Sequence, residues 1–100
     1  MAWPLTAPVA PTLDTGPGVA VPTSSTSITT NPAWLLGAHF INTSASNRTI
    51  TIRNTADAVL AQLTLPPGAE QPYEWPFRPS AGVKWQADGT GVLGHVWGYV

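Results

Sequence analysis

A period-of-two alternation constrains this chain more than any other feature. Val59, Ala61, Leu63 and Leu65 fall on one side of an extended backbone, with Leu60, Gln62 and Thr64 on the other. That is the pattern of a strand with one face buried. Pro66-Pro67-Gly68 ends it, because prolines donate no ladder hydrogen bond and glycine tolerates a turn conformation. Beyond the corner, Tyr73, Trp75 and Phe77 alternate with Glu74 and Pro76, and Pro76 places this second strand at a sheet edge or a bulge. Two strands with large apolar faces, joined by a proline-rich corner, imply a small β-sandwich.

The same period recurs on both sides. Ala33 to Asn42 places Trp34, Leu36, Ala38 and Phe40 on one face and Leu35, Gly37, His39 and Ile41 on the other. Both faces are largely apolar, so this strand is buried on both sides or lies under a neighbouring subunit. Asn42 to Asn47 is a turn of small polar residues. Arg48 to Arg53 then turns Ile50 and Ile52 inward, and Asn54 to Asp57 leads into the Val59 strand. Val83, Trp85 and Ala87 alternate with Lys84 and Gln86, and Asp88 to Gly91 is expected to close a hairpin onto a last strand over Val92–Val100. Gly94 and Gly98 in that strand point to a bulge or a close backbone approach. The expected fold is all-β: a small six-stranded antiparallel sandwich, jelly-roll-like, over residues 33–100.

Residues 1–32 read differently. Prolines at 4, 8, 11, 17, 22 and 32, with glycines at 16 and 18, interrupt any periodicity, and the expectation is an extended N-terminal arm. Stretched at about 3.1 Å per residue, it could span on the order of 100 Å. Trp3, Leu5, Val9, Leu13, Val19, Val21 and Ile28 are spaced along it like anchors for grooves on another surface.

The search for chemistry returns little. With no cysteine there is neither a disulfide framework nor a thiolate metal site. Glu70 and Glu74 need not converge as a glycosidase pair, and His39 with His95 lacks a third metal ligand. No Gly-x-Ser-x-Gly elbow or phosphate loop is present, so no catalytic residue, metal or cofactor is assigned. Asn42-Thr-Ser and Asn47-Arg-Thr match the glycosylation sequon, but Met1-Ala-Trp-Pro-Leu lacks the positive start of a secretion signal. Trp75, Trp85 and Trp97 could form a platform for a sugar or a base, although core or interface is the favoured reading. A net charge of −1 offers no footprint for nucleic acid or an anionic membrane, and no apolar run is long enough for a transmembrane helix. Only 9% of the residues are charged, a surface so poor in charge that much of it should be covered by other protein.

Several segments carry a family likeness: Ala38-His-Phe-Ile-Asn-Thr-Ser, Arg48-Thr-Ile-Thr-Ile-Arg-Asn, Leu63-Thr-Leu-Pro-Pro-Gly, Glu74-Trp-Pro-Phe and Gly82-Val-Lys-Trp-Gln-Ala-Asp-Gly-Thr-Gly-Val-Leu-Gly. Through them residues 34–100 resemble the small β-sandwich head decoration, or capsid cement, proteins of tailed bacteriophages. The resemblance implies a virion structural protein on the outer capsid surface, with the major capsid protein as partner, no catalytic residues, and often a trimeric state. The expected homotrimer interface draws on Trp34, Leu35, Ile41, Leu93, Trp97 and Tyr99, with the arm docking on the shell. The alternative is a receptor- or glycan-binding module of a head or tail fibre, whose partner would be a host-surface glycan.

Overall fold

The structure, a computed structural model, describes residues 13–74 and 81–99. Nine strands lie in these residues: β1 (Leu13–Asp14), β2 (Val19–Ala20), β3 (Thr26–Thr29), β4 (Trp34–Asn42), β5 (Arg48–Arg53), β6 (Val59–Leu65), β7 (Glu70–Glu74), β8 (Val83–Ala87) and β9 (Val92–Tyr99). They form two antiparallel sheets. One has the order β1-β9-β4-β7, with β2 also pairing β9, and the other has the order β3-β8-β5-β6. The described residues contain no helix.

Taken together, β1 and β2 are one interrupted strand along β9. Leu13 stands opposite Gly98 and Asp14 opposite Trp97, and after the interruption Val19 pairs Gly94 and Ala20 pairs Leu93. At the break, the Thr15 N–H donates to the Val96 carbonyl (3.0 Å) and the Thr15 hydroxyl accepts from the Val96 N–H (2.9 Å). Gly16 and Gly18 take positive φ, which lets the Gly-Pro-Gly segment loop out before pairing resumes. Counted this way, the strands give two four-membered sheets whose chain changes sheet at every connection except the β5–β6 hairpin. This is the wrapping of a jelly roll.

The sequence expectation of an all-β antiparallel sandwich is therefore met, with β5, β6 and β8 at the expected residues. Three features differ. The first is the arm: residues 13–29 supply three of the nine strands, so no boundary at residue 32 separates an arm from the sandwich over the described residues. The prolines did not prevent this because they fall where no ladder N–H is required. Pro17 lies in the looped-out break, and the Pro22 carbonyl, which proline keeps, accepts from the Ala87 N–H (2.8 Å). The second is the connection Asp88–Gly91, which passes from β8 in one sheet to β9 in the other and is not a hairpin. The third is β7, which begins at Glu70 and pairs with β4 as an edge strand. The edge position expected from Pro76 holds for this strand through Pro72, while Trp75, Pro76 and Phe77 lie outside the described residues.

The core is the space between the sheets. Leu13, Val21, Leu35, Ala38, Phe40, Val92 and Val96 come from one side, and Ile50, Ile52, Ala61, Leu65, Val83, Trp85 and Ala87 from the other. Burying these side chains is the main favourable term in the fold. Asn42 is buried among them, with its amide fully used: it donates to the Ser46 (2.8 Å) and Leu65 (2.9 Å) carbonyls, and its oxygen accepts from the Ser44 N–H (2.9 Å) and hydroxyl (2.6 Å). That network ties the end of β4 to the end of β6 across the two sheets. It also closes the first sequon, because the Asn42 amide is not accessible.

Candidate interaction face

The strongest candidate surface is the outer face of the sheet β1-β9-β4-β7, and β9 builds most of it. Its inward residues are Val92, Gly94, Val96 and Gly98, and its outward residues are Leu93, His95, Trp97 and Tyr99, each half-buried. The inward glycines are required by close approach. A Cβ on Gly98 would land on the Trp34 carbonyl oxygen, and one on Gly94 would lie 2.9 Å from the Phe40 ring. The close approach read from these glycines in the sequence is thus present.

On β4, the register shifts between Leu35 and Gly37. This bulge changes which residues share a face. Trp34 stands opposite Tyr99, Gly37 opposite Trp97, His39 opposite His95 and Ile41 opposite Leu93, while Leu35 turns inward beside Gly98 and is only 3% exposed. Five of the six expected interface residues (Trp34, Ile41, Leu93, Trp97 and Tyr99) therefore share one face. Leu35 is a core residue, because the extra residue in the bulge reverses the parity that strict alternation assigns. The bulge also displaces Leu36 from the inward row, leaving it 45% exposed beside Trp34 at 55%.

Trp97 lies across the sheet. A Cβ on Gly37 would sit 2.5 Å from its Cζ2 and 2.9 Å from its Cε2, so the indole occupies the space that a larger side chain would fill. Its ring is tilted 55° to His95, with centroids 4.8 Å apart. His95 in turn donates from Nε2 to the Asp14 carboxylate (2.6 Å), which joins β1 to β9. The Asp14 carboxyl is held below its ordinary pKa, first by the Gly16 N–H (2.8 Å) and then by His95. The two histidines do meet across strands, yet among the described residues no group of three or more His, Cys, Asp or Glu could hold a metal ion. Asp14 and Glu70 occupy the edge strands, and the middle of the face is apolar, aromatic and histidine.

Of the expected arm anchors, Leu13 and Val21 are buried in the core, and Val19 and Ile28 pack against it. They are covered by their own chain, so a docking role on another surface is corrected for Leu13 and Val21. Trp3, Leu5 and Val9 lie outside the described residues. Leu13, Val19 and Ile28, with Asp14, Ser27 and Trp85, line a cleft of about 410 Å³ at the edge where β1 and β3 part. The three tryptophans considered as a platform do not form one in the described residues. Trp85 is core and Trp97 is on the outer face, whereas Trp75 is not described. Glu70 and Glu74 pair with Ile41 and Gly37 at opposite ends of β7.

In comparisons with protein-family models, curated proteins and solved structures, the chain matches none.

Proposed function

We propose that this protein is a virion structural protein that binds the outer surface of a bacteriophage capsid and stabilises it, with the major capsid protein as its partner. The observation that carries the reading is the outer face of the β1-β9-β4-β7 sheet. Trp34 and Leu36 are exposed there beside Trp97, Tyr99, Ile41 and Leu93, with charge only on the edge strands. Such a patch on a charge-poor chain is the kind of surface that protein contacts cover. The resemblance of residues 34–100 to head decoration proteins supplies the kind of partner. In this reading the copies stand as homotrimers at local three-fold axes, where a closed ring hides apolar strand faces.

The experiment is a count of copies per purified particle together with a binding assay. Hundreds of copies, and saturable binding of the full chain to capsids lacking it, are the expected results. A few copies to a few dozen per particle would place the protein in a fibre or tail and overturn the decoration role.

A further inference from the structure

The two sheets turn opposite chemistry outward. On the β3-β8-β5-β6 sheet, Thr49, Thr51, Gln62, Thr64, Lys84 and Gln86 point away from the core. The register sets them side by side: Thr49 stands opposite Thr64, Thr51 opposite both Gln62 and Gln86, and Arg53 opposite Lys84. Their strand neighbours Ile50, Ile52, Trp85 and Ala87 are buried. A register shift between Ile52 and Arg53 places Val59 beside Arg53 on the outer side and lets Leu60 pack against the core. Among the described residues, Val59 is thereby the one large exposed apolar side chain on this face, against Trp34 and Leu36 on the other sheet.

The outward groups are bonded to one another. The Thr49 and Thr64 hydroxyls are 3.0 Å apart, and Gln62 Nε2 donates to the Thr51 hydroxyl (3.2 Å). Arg53 Nη1 donates to the Gln86 side-chain carbonyl (3.1 Å), and Gln86 Nε2 donates to the Thr23 carbonyl (3.0 Å). Lys84 Nζ donates to the Asp57 carboxylate (2.6 Å), and that aspartate side chain is 70% exposed. These bonds use only part of each group's capacity. A guanidinium has five N–H donors, an ammonium three, and a primary amide two with an acceptor oxygen. Water satisfies the remainder on an open face, and a partner laid over it would have to replace every one of those bonds.

The outer face of the other sheet asks for much less. Its middle is aromatic, aliphatic and imidazole, and Asp14 and Glu70 stand on its edge strands. Covering it removes mainly apolar area from water, which favours association.

We propose that, when this protein stands on a capsid, the β3-β8-β5-β6 face is the one displayed away from the shell, free of protein contacts. The inference rests on the docking role of the opposite face and adds that the domain is one-sided. Two packed sheets lie about 10 Å apart, so a group attached at Gln62 is held across the core from the shell.

The chain has no cysteine, so Gln62→Cys and Leu36→Cys each supply one thiol at an exposed position, on different sheets. Each full-length variant is titrated onto capsids lacking the protein, uncoupled and after coupling to a maleimide-polyethylene glycol chain. Coupled Q62C is expected to saturate the capsids at the same concentration as uncoupled Q62C, and coupled L36C to need at least about tenfold more. On decorated capsids the Q62C thiol should react with the reagent as fast as in the free protein, and the L36C thiol should be protected. If uncoupled Q62C binds and coupled Q62C does not, or if its thiol is protected on the particle, the displayed face is overturned while attachment to the capsid stands. Binding by coupled L36C at the uncoupled concentration overturns the docking face. If neither uncoupled variant binds, the capsid reading fails and the orientation falls with it.

Discussion

Two exposed aspartates are expected to make the sandwich lose stability in acid. Asp14 is held below its ordinary pKa of 3.8 by the Gly16 N–H and then His95, and Asp57 by its 2.6 Å bond to Lys84 and that residue's charge. A carboxyl whose folded-state pKa is depressed stabilises the fold above its unfolded value. That contribution is lost as pH falls through the lowered folded value. Both contributions are therefore complete at neutral pH and vanish on the acid side of 3.8. Asp14→Asn should flatten the acid limb of a stability-against-pH curve, read by denaturant titration at several pH values; an unchanged acid limb would remove Asp14 from this account. Asn42 is a different case, because its partners are buried. Asn42→Ala leaves the Leu65 carbonyl without its donor and frees the Ser44 turn. The expected loss is about 1–3 kcal/mol of unfolding free energy in urea or guanidinium titration.

At the scale of elements, the interrupted first strand decides the extent of the domain. Leu13→Ala should cost about 2–3 kcal/mol, since it removes a core side chain that is 6% exposed. A truncation lacking residues 1–32 also removes Val21 and the β3 partner of β8, and the remaining chain is expected to lose cooperative unfolding. A truncated protein that still melted in one sharp transition would show that the first three strands are dispensable. Much of this architecture was legible in the sequence where a strand contributes one clean face. Ile50 and Ile52 in β5, and Val83, Trp85 and Ala87 in β8, are buried as their alternation implies. The rest was hidden for local reasons. Two-residue strands are too short to show a period, and β1 to β3 owe their conformation to β9 and β8, which lie far along the chain. The bulge near Leu36 has no sequence signature except its consequence, an apolar row on each face of β4. That is why strict alternation puts Leu35 on the face of Ile41 and Leu36 opposite it, whereas the bulge buries Leu35 and leaves Leu36 exposed.

On the scale of the whole molecule, the proposed docking through one outer face would separate binding from stability. Trp34→Ser and Leu36→Ser change exposed side chains beyond the core. Together they should weaken capsid attachment at least about tenfold, while each moves the unfolding free energy by no more than about 0.5 kcal/mol. Capsid binding at wild-type concentration by the double variant would send attachment elsewhere on the surface. The position of β9 reaches further. It is the last described strand in the chain, yet it lies inside its sheet, between the interrupted first strand and β4. Neither β1 nor β2 has another partner in its sheet. During synthesis, therefore, β1 and β2 have no strand of their sheet to pair with until β9 has followed them out of the ribosome. Leu13 and Val21 therefore lack the cover of β9 until that strand has emerged, and the sheet that holds them can close only as a late step of folding.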